Sequence, residues 1–123
     1  MKRIRLKNTQ HELLLRKELT NIGFRYRLHS PKLPGKPDIV LNRYKLVIFI
    51  DGEFWHGFDW DTKKVRIKAN REYWIPKIEW TISRDQANNV KLEELGFVVL
   101  RFWEREIKKD LKSCMKRIME VCV

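Results

Sequence analysis

Two carboxylates in this chain stand where aliphatic side chains would be expected. Glu12 precedes Leu15, Leu19 and Ile22 by steps of three and four, and Asp85 continues the series Ile78, Ile82 ahead of Leu92. Each therefore shares the apolar face of a helix and points inward. An inward carboxylate is costly unless a cation, a metal ion or hydrogen bonds meet it. Thr9 and Glu12 also have the spacing of a capping box, which by itself accounts for a glutamate there. An Arg or Lys partner explains Asp85 as well as a catalytic role does.

A third acid, Asp38, follows Pro37 at the head of an apolar run, and the next run ends in Ile50-Asp51-Gly52-Glu53. Two neighbouring strands arranged in this way can deliver oxygen ligands to one hard cation, although a plain loop-to-strand junction carries the same Pro-Asp pair. Phe54-Trp55-His56 comes next. A neutral imidazole beside a metal site can take a proton from water near neutral pH, and a histidine packed between aromatics is the simpler alternative. Phe54, Trp55, Phe58, Trp60 and Trp74 are dense for a loop, and Lys63, Lys64, Arg66 and Lys68 run among them. Aromatics interleaved with cations suit stacking on bases or wedging between base pairs, and the same rings can build a small secondary core.

These residues need elements to position them. Thr9 to Ile22 reads as a helix stopped by Gly23, and Phe24 to Leu28 alternates as a half-buried strand does. A loop marked by Pro31, Pro34, Gly35 and Pro37 leads into a hairpin: Asp38 to Leu41, a turn at Asn42-Arg43, then Tyr44 to Ile50. The continuous apolar end of that second strand indicates burial on both faces. Asp51 to Asn70 shows no sustained period and reads as a functional loop. A helical pattern from about Arg71 to Leu95 restarts or kinks at Pro76, Phe97 to Trp103 is another apolar strand, and Glu104 to Val121 a basic terminal helix. The order is αβββαβα.

The 123 residues amount to one domain, spanning 1–123, and 43% hydrophobic residues suffice for a core without disulfides or metals. Lys and Arg number 27 against 16 Asp and Glu, a formal charge of +11 that calls for a polyanionic partner. No apolar run reaches the ~18 residues of a membrane span, and no h-region follows the basic start. Cys114 and Cys122 lack paired motif spacing, which suggests a reducing compartment. The expectation is an intracellular, cytoplasmic protein associated with DNA and with no membrane partner.

The chain resembles a known family. Leu33-Pro34-Gly35-Lys36-Pro37-Asp38, the strand leading to Phe54-Trp55-His56-Gly57, Glu72-Tyr73-Trp74 with Lys77-Ile78, Ser83-Arg84-Asp85, and Leu95 to Leu100 leading to Trp103-Glu104 are similar to motifs of the very-short-patch repair (Vsr-type) DNA mismatch endonucleases. The resemblance runs from about Lys7 to Glu104. It implies an α/β fold with a restriction-endonuclease-like αβββαβ core, a mixed central sheet flanked by helices. The same Glu, Asp, His, Asp set marks related homing endonucleases. By position, the resemblance implies that Asp38 and the Ile50 carbonyl bind a catalytic Mg2+, with Mn2+ a possible substitute. It makes His56 the general base, Glu12 and Asp85 supporting acids, and Phe54, Trp55 and Trp74 the aromatics inserted into the duplex.

The chain departs from the family in three places. Glu53, Phe58 and Trp60 stand where the repair enzymes hold a structural zinc with cysteines and histidines, so no structural zinc is expected. Asp51 replaces a usual histidine and offers a second metal ligand or an orienter of His56. About eight residues precede the first helix, where the repair enzymes have a longer DNA clamp, which favours homing or general DNA cleavage over mismatch specificity. The expected function is a metal-dependent endonuclease on double-stranded DNA, with a separate targeting domain or a dimer partner possible. The alternative is a basic DNA-binding module without catalysis. A ribosome-associated interaction domain ranks last, because it leaves the inward acids unexplained.

Overall fold

In the computed structural model of the chain, residues 9–52 and 57–122 are described. Helix α1 spans Gln10–Ile22, with Thr9 as its N-cap: the threonine Oγ1 accepts from the Glu12 amide at 3.3 Å, and Gly23 closes the helix at φ 102. Only a residue without a Cβ adopts that angle at no cost. The strands are β1 (Arg27–Leu28), β2 (Ile39–Leu41), β3 (Leu46–Asp51) and β4 (Val98–Trp103), in the spatial order β1-β2-β3-β4. The first two pairings are antiparallel and β3 to β4 is parallel, giving the mixed sheet expected. Between β3 and β4 lie α2 (Trp60–Arg66) and α3 (Arg71–Glu94), and α4 (Glu104–Lys109) and α5 (Leu111–Val121) follow β4.

Strand alternation divides the core in two. Ile39, Leu41, Leu46 and Ile48 project to one face, where Leu15 and Leu19 of α1, Ile107 of α4 and Ile118 of α5 cover them. Val40, Val47 and Phe49 project to the other, against Leu92 of α3. Burial on both faces is why β3 reads as an unbroken apolar run rather than as an alternation. The result is a helix–sheet–helix sandwich, with Glu12, Asp38 and Asp51 at helix and strand ends and Asp85 within α3.

Four details differ from expectation. The strand at Phe24–Leu28 shrinks to Arg27–Leu28, because the Phe24 amide donates to the Leu19 carbonyl of α1 at 3.0 Å and is lost to any ladder. The loop after Gly52 contains α2, whose seven residues are too few to establish a period in sequence. Pro76 neither restarts nor breaks α3, which is one helix of 24 residues. At the sixth helical position the missing proline donor deprives only the Glu72 carbonyl, one turn from the helix start. The terminal helix is two helices, broken at Asp110 (φ −146, ψ 66), whose carboxylate accepts from the Ser113 amide and caps α5.

Candidate active site

Glu12 is 1% exposed on the inner side of α1. Its Oε1 lies 3.0 Å from His29 Nε2 and its Oε2 3.3 Å from Arg16 Nη1, one helical turn on. Periodicity alone pointed this carboxylate inward, and the two cations or donors it requires are present. His29 follows β1 directly and donates its backbone N–H to the Asp38 carbonyl at 3.0 Å, which extends the Leu28–Ile39 pairing by one residue. Asp38 is thereby fixed across from His29 at the open end of the β1–β2 ladder. The Glu12 carboxylate, the His29 imidazole and the Asp38 carboxylate place ligand atoms all within 4.8 Å of one another.

Asp38 also ties this cluster to β3. Its Oδ2 accepts from the Ile50 amide at 2.8 Å. In an extended strand the N–H and C=O of one residue leave on the same edge, so the Ile50 carbonyl faces the side on which Asp38 stands. One carboxylate, one backbone carbonyl and a second, buried carboxylate nearby form the oxygen-rich donor set that a hard divalent cation takes.

The other two acids meet on Arg101 of β4. Its Nη1 lies 3.2 and 3.0 Å from the two oxygens of Asp51 and 3.8 Å from Asp85 Oδ1, while Nη2 donates to the Asp85 carbonyl at 3.4 Å and Nε to Asn89 Oδ1 at 2.8 Å. The guanidinium also stacks 3.9 Å from the Phe49 ring centroid, opposite it in the β3–β4 register. Arg101 is thus a planar fork joining the end of β3 to α3, a geometry that lysine does not reproduce. Asp51 is 5% exposed, and a carboxylate so buried gains from the cation that contacts both its oxygens.

His56, Phe54, Trp55 and Glu53 lie outside the described residues. Trp74 is half-buried on α3 and packs edge-to-face on Tyr73 at 4.8 Å. Phe58 packs edge-to-face on Trp103 at 5.1 Å, with Lys63 and Arg105 over its ring. Trp60 Nε1 and Lys64 Nζ both contact Glu79 Oε2, at 3.1 and 2.7 Å, and these bonds hold the Glu79 carboxyl below its ordinary range. Lys64 therefore fastens α2 to α3, whereas Arg66 and Lys68 are exposed.

The sequence matches a known family over most of its length. The model of the DNA mismatch endonuclease Vsr family covers residues 1–62. A type II nicking enzyme of Haemophilus parainfluenzae, V.HpaIIP, is 46% identical over 121 residues, 95% of this chain and 86% of the relative. This chain belongs to the Vsr family. A second type II nicking enzyme, V.NmeDIP of Neisseria meningitidis serogroup C, is 44% identical over 93% of this chain and 77% of its own length. The DNA mismatch endonuclease Vsr of Escherichia coli K12 is 38% identical over 85% of this chain and 66% of its own. Membership accounts for the mixed sheet flanked by helices.

Two residues that meet these acids, Arg101 and His29, are absent from the candidates that the sequence offers. Arg101 had a signal, since it interrupts the run Val98 to Trp103 as Asp85 interrupts α3. His29 had none, because its place opposite Asp38 depends on strand register.

Proposed function

We propose that this DNA endonuclease of the Vsr type is metal-dependent and cuts one phosphodiester strand of duplex DNA to leave 5′-phosphate and 3′-hydroxyl ends. The observation that carries the metal dependence is the convergence of Glu12 and Asp38 beside the Ile50 backbone. Asp38 and the Ile50 carbonyl would hold Mg2+, or Mn2+ in its place, and the bound cation supplies positive charge against the phosphate oxygens and polarises water. Glu12 orients the groups around that position, and His56 accepts the proton of the attacking water. Arg101 keeps Asp51 and Asp85 in place at the same end of β3, beside Ile50. The names of the two nicking enzymes favour single-strand cutting over the homing reading.

Cleavage in Mg2+ but not in excess EDTA tests the metal dependence directly. The neutral His56 imidazole is the reactive form, so single-turnover cleavage at saturating Mg2+ falls in acid, where the ring is protonated. His56→Ala removes that limb and slows cleavage roughly 10²-fold or more, with melting temperature and DNA affinity near the parent's. An unchanged rate and pH profile in a folded, DNA-binding variant would assign the proton to another base, with Asp51 first.

Duplex binding rests on the +11 charge and weakens with salt by roughly 0.9 log units per log unit for each phosphate neutralised. Arg66 and Lys68, exposed near the end of α2, contribute to that slope, and Lys64, committed to Glu79, contributes less. Arg66→Ala with Lys68→Ala lowers the slope by about 2. A slope equal to the parent's would make these two cations a solvated surface. Phe58 and Trp60, engaged by Trp103 and Glu79, are poor zinc ligands, so a fold without structural zinc is part of the proposal. Among the described residues, no helix is long and apolar enough to cross a membrane.

A further inference from the structure

Resting on the metal-dependent reading above, we infer that His29 is itself a cation ligand, its Nε2 supplying one nitrogen donor beside the Glu12 and Asp38 oxygens. Three elements that are distant in sequence bring the donors together: the inner face of α1, the end of β1 and the start of β2. Their separations suit one ion. With metal–ligand bonds of about 2.1 Å, adjacent donors of an octahedron lie about 3.0 Å apart and opposite ones about 4.2 Å. Nε2 of His29 stands 3.0 Å from Glu12 Oε1, the adjacent-donor spacing, and the Asp38 oxygen completes a set within 4.8 Å, close enough for an ion to draw it in by a few tenths of an ångström.

The backbone supports the same conclusion. His29 has φ 48, in the left-handed region, where histidine, asparagine and aspartate are the residues other than glycine found most often. Its amide bond to the Asp38 carbonyl holds it there, so the turn delivers the ring toward Glu12 instead of continuing β1. Held conformations of this kind concentrate at functional sites. The side chain is 20% exposed, open enough for an ion and its waters to approach from the His29 side, with the Glu12 side chain, at 2%, forming the inner wall.

Without the ion, Nε2 carries the ring proton and donates it to Glu12. Ligation uses the Nε2 lone pair, and the neutral ring then carries its proton on Nδ1. An imidazole in the set moves preference from Mg2+, which favours oxygen alone, toward Mn2+ and other first-row ions.

The test uses Mn2+ and the full chain, read by electron-spin-echo modulation. Mn2+ bound to the parent shows a directly coordinated nitrogen. His29→Asn removes the nitrogen signal and weakens Mn2+ binding tenfold or more, with a smaller loss for Mg2+ and duplex affinity unchanged. Asparagine is chosen because it tolerates φ near 48 better than alanine and so preserves the turn. His56→Ala retains the signal, which assigns the nitrogen to His29. Mn2+ bound without nitrogen coupling, or with coupling that persists in His29→Asn, would overturn the assignment, leave His29 a hydrogen-bond partner of Glu12 and spare the nuclease reading. Failure of the parent to bind Mn2+ at all would remove both.

Discussion

Asp38→Asn lowers Mg2+-supported DNA cleavage by about 10³-fold or more, roughly 4 kcal/mol of transition-state stabilisation, while duplex affinity and thermal stability stay near the parent's. The substitution is mild in structure. Asparagine keeps an oxygen that accepts from the Ile50 amide, as Asp38 Oδ2 does at 2.8 Å, so the junction of β2 and β3 survives. Only the charge is lost, beside Glu12 and the Ile50 carbonyl, where a divalent cation has most need of it. Cleavage is followed by single-turnover nicking and binding by titration in EDTA. A variant that binds duplex and cuts at the parental rate would remove Asp38 from the catalytic centre.

The second large effect is on stability. Arg101→Met keeps much of the side chain's length and its packing on Phe49 but leaves Asp51, 5% exposed, without the cation that contacts both its oxygens. Removing one partner of a buried pair costs about 3–5 kcal/mol. Arg101, at 19% side-chain exposure, admits some water, which places the expected loss nearer 3 kcal/mol, a drop of roughly 10 °C in melting temperature. Adding Asp51→Asn removes the stranded charge and recovers about half of that loss, so the two substitutions are strongly non-additive. A single variant within about 0.5 kcal/mol of the parent would show that water or another group neutralises Asp51 equally well.

How legible this was in the sequence depended on the range of the interactions involved. The inward direction of Glu12 and the helical place of Asp85 follow from local periodicity, and both hold. The central strand follows from apolar runs that need burial on two faces. The partners of these acids were not legible. His29 meets Glu12 only after β1 pairs with β2, and Arg101 meets Asp51 only after the parallel crossover places β4 beside β3. Helix α2 was hidden for another reason. Its seven residues are stabilised by contacts to Glu79 of α3 rather than by an amphipathic repeat.

Metal-dependent cutting of one DNA strand is the central claim, and cleavage of end-labelled duplexes tests it most directly. Matched, mismatched and random duplexes, each labelled separately on either strand, are incubated with the parent protein in Mg2+ or in excess EDTA. Breaks are expected in a single strand with 5′-phosphate ends in Mg2+, none in EDTA, and none above background with Asp38→Asn. Equal cleavage in EDTA, or tight duplex binding without cleavage under any of these conditions, would contradict metal-dependent cutting.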